Sequence, residues 1–208
     1  MTLSRDEVCT GLSYELGQFE TLLRTLTPEQ WEASSRCEGW TVGDVARHNV
    51  GSIADVAAGR LDGLGTPEVT AREVAERAGH TAAQLAEECA EVTKAAAGLL
   101  PMFDDAAWDA PAGGGYDGSL GNGVEALWFD AWMHADDVRS ALNIESVKGP
   151  GLRGALSHVE PFLTRLGWQG TIPSADADPD NAFEFVMVAT GRAMPAAGAA
   201  NPPVNIYA

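Results

Sequence analysis

Residues 120–142 read LGNGVEALWFDAWMHADDVRSAL. The stretch predicts a long helix from about Leu120 to Leu142. On it, Asp130 and His134 stand four residues apart, on one face and one turn from each other. A carboxylate and an imidazole at that spacing suit two ligands of a zinc site whose third ligand comes from elsewhere. The same spacing also suits an ordinary ion pair or hydrogen-bonded pair. Leu127, Trp128, Phe129, Trp132 and Met133 surround Asp130 in sequence and predict a carboxylate shielded from solvent, which needs a compensating partner.

Upstream, helix-start signals divide the chain. Ser4 with Glu7 forms a capping box, and Val8, Leu12, Leu16, Phe19, Leu22, Leu23 and Leu26 behind it trace the core face of a first long helix. Thr27-Pro28-Glu29-Gln30 starts a short helical turn, and 34–39 reads as loop. Thr41 with Asp44 launches a second long helix, from Val42 to about Leu61. It carries His48 on a stripe with Thr41, Val45 and Ser52; if that stripe faces inward, His48 supplies the third ligand. A lone histidine on such a stripe also reads as a hydrogen-bonded core residue. Thr70 with Glu73 reads as the cap of a third long helix, running through Val74, Ala78, Ala82, Leu85, Ala86 and Cys89 to about Leu100. Four long helices with short to moderate connections predict an all-α, four-helix bundle. The expected division is a metal-binding bundle over 1–145 and a small helical extension over 150–208 packing on it. Gly149-Pro150-Gly151 reads as the linker. Within the extension we expect a helix at about 152–167, a polar turn at 173–180, a helix rather than a buried strand at Phe183–Val188, and an irregular tail from Pro195.

The chain has 208 residues, 13 Lys and Arg against 30 Asp and Glu, and a formal net charge of −17. Basic clusters for a phosphate backbone are missing, so nucleic acid and anionic membranes are poor partners. No window is apolar enough for a membrane span, and the N-terminus lacks the layout of a secretory signal. Cys9, Cys37 and Cys89 are sparse and unpaired in spacing, which fits a cytoplasmic location.

Two segments carry a resemblance. Residues 37–48 (CEGWTVGDVARH) and 127–139 (LWFDAWMHADDVR) resemble, in order, the two metal segments of the mycothiol-dependent maleylpyruvate isomerase-like proteins, a branch of the DinB-like superfamily. The likeness covers about 1–145 as a DinB-like bundle and continues more loosely through 183–192 and 204–207. It implies a zinc triad of His48, Asp130 and His134, with a low-molecular-weight thiol such as mycothiol as cosubstrate and a small electrophile as substrate. The family's characterised isomerase carries Glu where this chain has Asp130, so either the helices approach more closely or another substrate is served. The short tail also looks smaller than that isomerase's second domain.

Three protein ligands leave one metal position open, as catalytic sites do. The expectation is a zinc-dependent thiol transferase or isomerase in which a metal-activated thiolate attacks the electrophile. Two alternatives stand beside it: a non-catalytic metal-binding bundle, and a metal-dependent hydrolase using bound water. Nickel, iron and manganese suit these ligands as well, and a homodimer is left open. Arg192 is a candidate for a substrate carboxylate, with a surface charge as the simpler reading. Cys37 reads as a packing residue for want of a nearby base, Trp40, Trp128 and Trp132 as core, 113–115 (GGG) as a flexible lip, and Asp136 and Asp137 as a solvated face or at best a partner for His134. His80 and His158 have no company in the sequence.

Overall fold

The computed structural model describes residues 3–208, which form helices and connecting segments without a strand among them. The helices are α1 (Arg5–Thr25), α2 (Pro28–Trp31), α3 (Val42–Ala57), α4 (Pro67–Glu76), α5 (Ala82–Leu99), α6 (Asp105–Asp109), α7 (Leu120–Ala141), α8 (Gly149–Arg165) and α9 (Pro179–Ala189). The chain divides into two compact units, Arg5–Ser146 and one made chiefly of Val147–Ala208.

In the first unit α1, α3, α5 and α7 form the four-helix bundle. Helix α1 packs on α5 and α7, and α3 packs on the same two, so α1 and α3 face each other across the diagonal. The predicted stripe of α1 supplies Leu12, Leu16, Phe19 and Leu23 to the core; Val45 and Val50 of α3, Leu85 and Cys89 of α5, and Trp132 and Met133 of α7 complete it. Thr41 and Asp44 form the capping box of α3: each side chain bonds the other's backbone N–H, at 3.1 Å in both directions. That cap fixes where the helix starts and therefore the face on which His48 falls. Helix α3 ends four residues before the expected Leu61, because Gly59 takes a positive φ of 72° that stops the ladder.

The region expected to hold one third helix holds two. Thr66 caps α4 and Thr81, with Gln84 in a capping box, caps α5. Residues 77–81 separate them, with Gly79-His80 ahead of the second cap. Thr70 and Glu73 therefore lie inside α4 rather than at its start, and Glu73 is buried. The continuous apolar pattern from Val74 to Cys89 concealed the break.

In the second unit α8 packs on α9. Leu152, Leu156, Val159 and Leu163 of α8, and Ala182, Val186 and Ala189 of α9, are buried at helical spacing, so 183–188 is helix. Gly149-Pro150-Gly151 is the first turn of α8 instead of a free linker, with Pro in the position where its missing N–H costs nothing. The tail past Pro195 is irregular; Trp168 Nε1 donates to Pro202 O at 2.9 Å and Ile206 N to Ala189 O at 2.8 Å.

Two measurements test this core. Trp132→Ala lowers unfolding free energy by about 3–5 kcal/mol in urea denaturation, the range for a large aromatic removed from a packed interior. Burial pushes the Cys89 thiol up to about 12, so Cys89 resists alkylation in the folded protein and reacts once it is unfolded.

Candidate metal centre

Helices α3 and α7 pack against each other and bring His48, Asp130 and His134 together. One ligand atom from each of the three lies within 4.8 Å of the others. Asp130 Oδ1 is 3.3 Å from His134 Nε2, and its Oδ2 is 3.8 Å from His48 Nε2. The two imidazole rings meet edge to face, centroids 5.0 Å apart. Ligands about 2.0–2.1 Å from a tetrahedral zinc stand roughly 3.3 Å from one another. The two carboxylate–imidazole separations are close to that value, so the donor set fits a small divalent cation. The shorter Asp side chain spans the gap to both rings.

Each histidine is held from behind. His48 Nδ1 lies 2.7 Å from Glu73 Oε2, and His134 Nδ1 lies 2.8 Å from Asp137 Oδ2. Both carboxylates are buried. A carboxylate on one ring nitrogen fixes the tautomer and leaves the other nitrogen free to ligate. In both rings Nε2 is the nitrogen that faces Asp130. The His134 imidazole is raised well above the usual histidine range. Burial opposes its charge, but the Asp130 carboxylate and hydrogen bonds to Asp130, Asp137 and Cys37 outweigh that burial.

A second group, Cys37, His134 and Asp137, also has ligand-type atoms close together. Here protons already join them: Cys37 Sγ donates to Asp137 Oδ2 at 3.4 Å, and the same oxygen faces His134 Nδ1. Arg36, from the loop before α3, bonds the other oxygen of Asp137 and also Asp136 Oδ2 at 2.6 Å. The cluster is a hydrogen-bond node that braces His134.

Several expectations change. Asp130 is not shielded: its side chain is 32% exposed, while Trp128, Phe129, Trp132 and Met133 turn into the core. Asp136 and Asp137 are not a solvated face but fully buried. Cys37 is more than packing, since it touches Asp137. Trp128 and Trp132 are core as expected, whereas Trp40 stands edge-on to the His48 ring at 5.4 Å between centroids. The 113–115 loop contains positive-φ Gly114 and Gly115. His80 has company after all, Glu88 at 3.5 Å, and in the second unit His158 rests against Phe162. Arg192 lies there too, just past α9, where its backbone N–H bonds Met187 O. Glu73 is the residue that sequence reasoning missed. Its spacing from Thr70 matched a capping box, and only the break before α5 shows otherwise.

Residues 12–139 match the family described as the mycothiol maleylpyruvate isomerase N-terminal domain. The chain belongs to that family. Two solved structures share its fold, a mycothiol-dependent maleylpyruvate isomerase and a histidine-to-alanine mutant of it. They align at a TM-score of 0.65 with 16% and 15% identity, over 98% of this chain and 99% of each of theirs. No curated protein sequence matches the chain. Among the described residues no helix is long and apolar enough to cross a membrane.

The Arg36 clamp is testable by itself. Arg36→Met leaves Asp136 and Asp137 buried without their cation, and chemical denaturation shows a loss of about 3 kcal/mol, as for broken buried ion pairs.

Proposed function

We propose that this family member is a divalent-metal-dependent, thiol-using transferase or isomerase, with zinc on His48, Asp130 and His134. The observation that carries the reading is the three-ligand set whose two imidazoles are both held at Nδ1 by buried carboxylates, beside a partly exposed Asp130. Three ligands leave a coordination position for a small molecule. A cation bound there supplies Lewis acidity that turns a coordinated thiol into a thiolate at neutral pH.

The residues divide the work. Glu73 and Asp137 hold the rings in place, Asp130 contributes charge from the solvent side, and Trp40 covers one edge of His48. The family's name favours mycothiol as the thiol, and the substrate is then a small electrophile. Sulfur adds to an electrophilic carbon; collapse of the adduct after bond rotation gives cis–trans isomerisation, and persistence gives S-transfer.

Elemental analysis of wild type, His48→Ala and His134→Ala, purified identically, gives about one zinc per wild-type chain and little in either variant. Wild type that stays metal-free when zinc is supplied overturns the reading. Turnover of electrophiles by the zinc-loaded protein then requires an added thiol. Turnover without thiol identifies a hydrolase, and zinc binding without turnover leaves a metal-binding bundle.

A further inference from the structure

Helix α4 is not one of the four helices of the bundle, yet it delivers the carboxylate that touches His48. Glu73 is only 1% exposed, and among the described residues its Oε1 has no hydrogen-bond partner. Its Oε2 faces His48 Nδ1. A buried carboxylate with one filled hydrogen bond is costly, so α4 must be held in place against that cost.

The surrounding residues hold it. Arg72 of α4 and Arg60 both pair with buried Asp55 at the end of α3. Arg77, just past α4, bonds Glu88 of α5 at 2.6 and 2.9 Å. Gly51, one turn beyond His48 on α3, has no side chain to keep α4 away: a Cβ there would sit 2.8 Å from Glu73 Cβ and 2.9 Å from an Arg77 nitrogen. The guanidinium groups of Arg60, Arg72 and Arg77 go to Asp55, Glu76 and Glu88, and Arg77 also bonds the Glu73 backbone carbonyl. None is bonded to the Glu73 carboxylate. Asp137 differs, because Arg36 balances its charge.

We infer that Glu73 is the positioning residue of His48. It accepts a hydrogen bond from Nδ1–H, fixes the neutral ring as the tautomer with its lone pair on Nε2, and adds a negative charge beside the ring. Helix α4, set against α3 at Gly51, is the device that places it. This inference rests on the metal reading of His48, Asp130 and His134.

The test is zinc affinity, measured by competition with a chromophoric chelator, together with long-range proton–nitrogen NMR of the His48 ring in the metal-free protein at mildly alkaline pH. Glu73→Ala lowers affinity by about 10–100-fold, the usual effect of removing such a partner, and His48 loses its Nδ1–H preference. Glu73→Gln, whose amide oxygen still accepts from Nδ1–H, keeps the tautomer and recovers part of the affinity. Gly51→Ala weakens zinc with the carboxylate still present, and Glu68→Gln, at an exposed position of the same helix, matches wild type. Wild-type affinity and an unchanged tautomer in Glu73→Ala overturn the inference alone. A wild type that binds no zinc overturns the metal reading and this inference with it.

Discussion

Glu15, Asp55, Glu73, Asp136 and Asp137 are all at most 1% exposed, in an interior where a charge without a partner costs several kcal/mol. Finding partners for these carboxylates shapes the first unit. Asp55 draws in Arg60 and Arg72, and so fixes the connection after α3 and the helix that follows it. Asp136 and Asp137 draw in Arg36, and so tie the loop before α3 to α7, a hundred residues later in the chain. Glu73 and the second oxygen of Asp137 turn to His48 and His134.

The same pairings make a centre of two rings that would otherwise rotate freely. A neutral imidazole offers one lone pair, and the hydrogen bond at the other nitrogen decides where it points. Here Nε2 of each ring faces Asp130, which is reachable from solvent. The rigid part of the site is buried and the open part is exposed, a division that suits the proposed centre, in which an ion is held and a small molecule admitted.

Much of this was legible in the sequence. The bundle helices followed from apolar periodicity, and Thr41 with Asp44 marked the start of α3 to the residue. The spacing of Asp130 and His134 and the stripe of His48 pointed to these residues but suited ordinary pairs equally well; the family resemblance named them as a triad, and the structure brings them together. The errors have physical causes as well. An apolar pattern that runs on through 74–89 hides a break set by two threonine caps. Aromatic neighbours in sequence do not shield Asp130, because on a helix adjacent residues face different directions.

Local rules therefore determined the elements, their caps and the faces that carry ligands, since these depend on contacts within three or four residues. Only the tertiary structure decided which side chains stand behind the ligands. Glu73 is 25 residues from His48 and Arg36 is 101 from Asp137, and no periodicity reaches so far. The Glu73 pairing is set by how closely α4 lies on α3 at Gly51, and both pairings by the cost of leaving a carboxylate unpaired once the bundle has closed around it.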